Sequence, residues 1–167
     1  MAKLFQQGWL FIKSIYLGTE KVVLKNVILH TENTYEQAKI KLIFDYAFFY
    51  IVLLMSFLFL NMLSQNKVNL LLIPLMMTIL VISLLLLGKG VPSKTVGRYT
   101  SFFTLVVPML SSFFNNQDLS PKYTLIWIMS ILLCYITVNL LTAVAWSMVL
   151  CGYMIVIAYI KLNHIHV

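Results

Sequence analysis

Asp45 is a carboxylate set among apolar residues, with Leu42-Ile43-Phe44 before it and Tyr46-Ala47-Phe48-Phe49-Tyr50 after it. An acidic group in such a stretch is costly unless it finds a partner. Lys41 lies four residues earlier, and on a helix an i,i+4 pair would let the lysine compensate the charge at the level of lipid headgroups. The alternative is that Asp45 faces the interior of a helix bundle and binds a proton, a cation or a cationic group of a ligand. Tyr135, Asn139 and Trp146 stand in another apolar run and would gain partners by lining an interior cavity. With Asp45 they form the candidate ligand-binding set, and ordinary packing is the competing explanation for all three.

Other chemistry-bearing patterns are weaker. Gly88-Lys89-Gly90-Val91-Pro92-Ser93-Lys94 combines glycines with lysines, but it lacks P-loop spacing and Pro92 removes a backbone donor that a phosphate needs. His164 and His166 form a His-x-His pair with no third ligand beside it, and His30 stands alone. Cys134 and Cys151 lie in apolar runs, where a thiol packs as a small hydrophobe. The sequence contains no catalytic motif, and neither a metal nor another cofactor is expected.

The elements that hold these residues are apolar helices. Of 167 residues 61% are hydrophobic and 10% charged, which excludes an ordinary soluble domain. Continuous apolar runs, without alternation, argue against a β-barrel. From Tyr123 to Ile160 there is no Asp, Glu, Lys, Arg or His, a run nearly twice the ~20 residues that one span needs. A turn near Asn139 to Ala143 divides it. The fold class is therefore all-α, a polytopic transmembrane bundle with spans near 42–63, 68–87, 95–114, 123–138 and 143–160.

Residues 1–33 form a separate interfacial amphipathic segment, broken near Gly18 and resumed from Glu20 to Leu29, with Lys21 and Lys25 on its polar face. Asn33 followed by Glu36 predicts a capped helix start near Thr34. Gly88 to Pro92 is a breaker, and residues 115–122 form a loop. Ser101, Thr104, Ser111 and Ser112 dilute the third span and are expected to face other helices. Tyr46, Tyr123 and Tyr159 suit the membrane interface. Ala143, Ser147 and Cys151 recur every four residues and predict a close helix crossing.

The net charge of +7 points to anionic lipid headgroups and away from nucleic acid as a partner. Lys3, Lys13, Lys21, Lys25, Lys39, Lys41, Lys89, Lys94 and Arg98 fall on one side, whereas Lys67, Lys122 and Lys161 fall on the other. The positive-inside rule then puts the N-terminus in the cytoplasm of a multi-pass protein of the bacterial inner membrane.

Leu17-Gly18-Thr19-Glu20, the acidic-to-basic stretch Glu32 to Lys41, the short external loops and the closing Lys161-Leu162-Asn163-His164-Ile165-His166 give a layout that resembles the N-terminal membrane region of bacterial sensor histidine kinases and receptor cyclases. That resemblance implies a sensory input bundle, acting in a dimer on a cytoplasmic kinase or cyclase domain that follows a final span. The sequence departs from the pattern after its fifth span, which suggests either a truncated input module or a complete small membrane protein of another kind. The expected function is a membrane-embedded sensor of a small hydrophobic ligand or of membrane state. A small transporter or channel built on Asp45 is the alternative, and an assembly subunit is the third.

Overall fold

The computed structural model describes residues 2–29, 31, 33–115 and 119–163. His30, His164 and His166, singled out above, lie outside the described residues. Within them the fold is all-helical: α1 (Ala2–Leu29), α2 (Thr34–Ser64), α3 (Lys67–Gly88), α4 (Ser93–Phe114), α5 (Pro121–Thr137) and α6 (Leu140–Leu162).

Local chemistry sets each boundary. The Asn33 side chain accepts a hydrogen bond from the Tyr35 N–H at 2.9 Å and starts α2 where expected. Glu36 does not close the capping box, because its carboxylate is taken by Lys39 Nζ at 2.9 Å and by the Ser93 hydroxyl. Gln65 turns the chain in the left-handed region, with φ 52°, and Asn66 caps α3 by accepting from Asn69 N–H at 3.1 Å. Gly90, with φ 75°, makes the α3–α4 turn, and Pro121 opens α5 at a position where its missing N–H is harmless. Asn139 accepts from Thr142 N–H at 2.8 Å and caps α6, so the long uncharged run does break at Val138 and Asn139.

The amphipathic N-terminal segment is not broken at Gly18. α1 is one helix of 28 residues, Gly18 has no positive φ, and the Thr19 hydroxyl returns its hydrogen bond to the Ile15 carbonyl across that point. Docking also favours continuity, since Tyr16 packs on Phe44, Phe48 and Phe49 of α2 while Leu24 is buried.

Helices α2, α3 and α6 are long and apolar enough to cross a membrane. α5 is apolar but has 17 residues, about 26 Å of helix. α4 is diluted by hydroxyls, and those hydroxyls explain its place. Thr100, Ser101, Thr104 and Ser112 are all buried, and α4 packs against α2, α3, α5 and α6. Thr100, Ser101 and Thr104 donate to carbonyls one turn back at 2.7 to 2.9 Å, so the buried groups are satisfied within their own helix.

α4 and α5 approach closely at Gly97. A Cβ added at Gly97 would lie 2.8 Å from the Thr137 Cβ. The predicted crossing along Ala143, Ser147 and Cys151 is only partly made: Ala143 is buried, Ser147 is half-buried and donates to the Ala143 carbonyl, and Cys151 is exposed. Two ends can now be distinguished. The basic end carries Lys39, Lys41, Lys89, Lys94 and Arg98, and the asparagine end carries the α2–α3 and α4–α5 connections.

Gly97→Ala is expected to destabilise the bundle by about 1–3 kcal/mol, the usual range for overpacking, since Thr137 is branched and cannot swing aside. Gly152→Ala, where the added carbon meets nothing within 4 Å, should be neutral or stabilising. Thermal unfolding of both variants in one detergent gives the comparison. Equal melting temperatures would contradict the tight α4–α5 contact.

Candidate functional site

At the asparagine end, residues from four helices and their connections converge in one hydrogen-bonded cluster. Asn69 of α3 donates from Nδ2 to Asn61 Oδ1 of α2 at 2.8 Å. Its own Oδ1 accepts from Ser111 Oγ at 2.7 Å and from Asn115 Nδ2 at 2.9 Å, both at the end of α4. Asn66 Nδ2 donates to Asn115 Oδ1 at 2.7 Å. Ser111 has spent its single hydrogen on Asn69, so across their 2.9 Å separation Tyr123 of α5 is the donor and Ser111 Oγ the acceptor. Each amide orientation is fixed by the next one in the chain.

Beneath this cluster lies a cavity of about 150 Å³. Its floor is apolar, from Leu54, Phe57, Leu72, Ile73, Met76, Val107 and Pro108, while Asn61, Asn69, Ser111, Lys122 and Tyr123 line the polar side. The Lys122 ammonium also sits 4.9 Å from the centre of the Tyr123 ring. The two interior prolines stand at this depth, since Pro108 lines the cavity and Pro74 follows Ile73. An apolar pocket with a few convergent polar groups is the usual form of a small-molecule site.

A second recess of about 340 Å³ runs between α2 and α5 along Leu42, Asp45, Tyr46, Phe49, Leu53 and Met129. It shares Tyr50 and Ile126 with the cavity. Asp45 lies at its edge, and its partner is not Lys41. Asp45 Oδ1 accepts a 2.6 Å hydrogen bond from the Tyr16 hydroxyl of α1, whereas Lys41 reaches Glu20, also on α1, at 3.5 Å. The pairing within α2 is displaced because α1 lies alongside and offers both groups a partner. Burial first, then the hydrogen bond and charge of Asp45, push the Tyr16 phenol well above its ordinary value.

The remaining expected residues are dispersed. Tyr135 is 53% exposed on the outside of α5, Asn139 is the α6 cap, and Trp146 is half-buried against Phe102, its ring centre 5.1 Å away. None of these three lines the cavity or the recess that holds Asp45. Trp146 Nε1 and Trp127 Nε1 are buried without an acceptor among the described residues. Tyr46 and Tyr123, expected at an interface, point inward: Tyr46 lies 3.2 Å from Ser130 Oγ, and Tyr123 is buried at the cluster.

Sequence reasoning missed Asn61, Asn66, Asn69 and Asn115, which stand at connections where asparagine is ordinary turn chemistry. The available signal was their recurrence at both connections of one end of the bundle. No family model, curated protein or solved structure matches the chain.

Tyr16→Phe is expected to speed amide exchange in the α1 segment 16–29 about tenfold, the loss of a charge-assisted hydrogen bond worth about 1.5 kcal/mol in a half-buried site. The Tyr16 value is higher in the folded than in the unfolded state, so its contribution is complete below the ordinary tyrosine range and is lost as pH rises above it. Wild-type α1 should therefore lose protection at alkaline pH more steeply than Tyr16→Phe. Parallel profiles would show that the clasp does not hold α1.

Proposed function

We propose that this chain is a membrane-embedded sensory input module, of the layout found ahead of bacterial kinase and cyclase domains. In this reading five helices, α2 to α6, cross the inner membrane with the basic end in the cytoplasm and α1 docked on that side. A low mean hydropathy does not disqualify α4, whose hydroxyls are turned into the bundle and away from lipid. α4 and α5 run antiparallel between apolar neighbours through short connections, which supports counting both as spans. The bilayer and a second copy of the chain are the proposed partners.

The observation that carries the reading is the cavity roofed by a cluster that ties α2, α3, α4 and α5 together at the depth of two prolines. Proline deletes one intrahelical hydrogen bond, so α3 and α4 are weakest where the cavity opens. A ligand that prefers one arrangement of these helix ends by a few kcal/mol shifts the bundle between packings. α2 links the cavity to α1 through Asp45 and Lys41, and so to the cytoplasmic side. Transport through Asp45 is less well supported, because that carboxylate is held by Tyr16 and the recess beside it is lined almost wholly by apolar side chains.

Leu72→Phe would put a larger side chain against the cavity and narrow it. In nanodiscs, Leu72→Phe should change amide exchange of α1 by at least about fivefold, the lower end of allosteric coupling. The control Leu71→Phe, at a site 71% exposed, should not. An effect confined to α3 would count against signal transmission, and Asp45-dependent solute flux in liposomes would favour transport. Topology has its own check: a cysteine introduced by Asn163→Cys is expected to react only from the external face, and cytoplasmic labelling would contradict five spans.

A further inference from the structure

The recess between α2 and α5 borders a charge that its surroundings leave unmatched. Asp45 lines it, and Tyr16 is a neutral partner that gives one hydrogen to Oδ1. An ionised carboxylate has room for about four such bonds. Lys39 is paired with Glu36 and Lys41 with Glu20, so both lysines of α2 are drawn to other carboxylates. Among the described residues Asp45 has no basic partner, and its Oδ2 accepts no hydrogen bond. Tyr46, beside it, has its hydroxyl 3.2 Å from Ser130 Oγ. A carboxylate that faces apolar walls without a cation is costly, and a cationic occupant offsets that cost.

The walls set the size of what can lie there. Leu42, Asp45, Phe49 and Leu53 recur every three or four residues along one side of α2, over about 16 Å of helix. Leu125 and Met129 of α5 face the same space. Its volume of about 340 Å³ is a little over twice that of an apolar cavity able to hold one benzene ring. Phe49, Leu53, Leu125 and Met129 are all exposed on the outside of the bundle, so the recess is open from the side.

We propose that this recess binds a membrane-soluble amine, with its protonated nitrogen on Asp45 Oδ2 and an apolar body of about two rings along Phe49, Leu53 and Met129. The site is separate from the asparagine-end cavity and does not depend on that cavity's role. A neutral acyl chain would fit the same walls but leave the carboxylate unmatched.

One scaffold with three heads tests this. Equilibrium dialysis of tritiated 2-(1-naphthyl)ethylamine against the full chain in phosphatidylcholine nanodiscs, with uptake by empty discs subtracted, is expected to show saturable binding. The corresponding alcohol should need about ten times the concentration, the effect of one charge-assisted hydrogen bond, and 1-naphthylacetate should bind weakest. Asp45→Asn, which can still accept from Tyr16, should bring the amine to the level of the alcohol. Tyr16→Phe removes the neutral partner but keeps the charge, so the amine preference should survive it. Leu53→Trp should weaken amine and alcohol alike by crowding the recess.

Equal binding of amine and alcohol, or a preference that survives Asp45→Asn, would overturn the cationic assignment. Binding indifferent to Leu53→Trp, or no saturable binding at all, would remove the recess as the site. Loss of the amine's saturable binding when phosphatidylethanolamine replaces phosphatidylcholine would assign the recess to a lipid headgroup instead of a small amine. Each of these failures leaves the reading of the asparagine-end cavity standing.

Discussion

The Thr100, Ser101 and Thr104 hydroxyls in the middle of α4 return their hydrogen bonds to their own backbone, and this lets a polar helix be surrounded by four others. A buried hydroxyl that needed a partner on another helix would fix that helix at one distance and one rotation. Self-satisfied threonine and serine instead present small, nearly apolar surfaces. α5 can then approach until Thr137 meets the bare backbone at Gly97, and α3 can close on Thr100 through the Ser83 hydroxyl 3.0 Å away. Because α4 is central, the long apolar faces of α2, α3, α5 and α6 are left on the outside. α6 shows this most clearly, with Ala143 and Ile157 its buried residues.

The two ends of the bundle are held by different physics. At the asparagine end the contacts are neutral, short and mutually dependent, since each amide both donates and accepts. Such a cluster is strong when complete and loses much when one member moves, because a partner is then left unsatisfied. At the basic end the contacts are charged: Tyr16 on Asp45, Lys41 with Glu20, and Lys39 and Ser93 on Glu36. Of these, the Lys41–Glu20 pair is exposed enough to be screened and remade at small cost. A rearrangement at the first end is discrete, and the second end can follow it by small steps.

Much of this fold is legible in the sequence because it depends on neighbours along the chain. Asn33, Gly88 to Pro92 and Asn139 each act within a few residues of themselves, so helix starts and stops fall where their types predict. The burial of the α4 hydroxyls agrees with the expectation that they face other helices. The site was not legible for the converse reason. Asn61, Asn69, Ser111 and Tyr123 lie on four separate helices, and nothing local distinguishes an asparagine that caps a helix from one that also bridges to another helix. Asp45 shows the same limit: Lys41 is its nearest opposite charge in sequence, but the tyrosine that holds it lies 29 residues earlier on a helix whose docking no local pattern announces.

α2 connects these observations. It is 31 residues long, contains no proline or glycine, and bears Asp45 toward one end and Asn61 toward the other, with Tyr50 shared by the cavity and the recess between them. α3 and α4 each lose a backbone hydrogen bond at cavity depth, whereas α2 keeps its ladder unbroken. In the proposed sensor, α3 and α4 bend more readily at cavity depth than α2, which moves as a rod. Its other end meets α1 through a 2.6 Å hydrogen bond and one ion pair, contacts that respond to movements of about an ångström because hydrogen-bond strength falls steeply with misalignment. In the proposed sensor, this stiff helix joins the asparagine cluster to the α1 clasp.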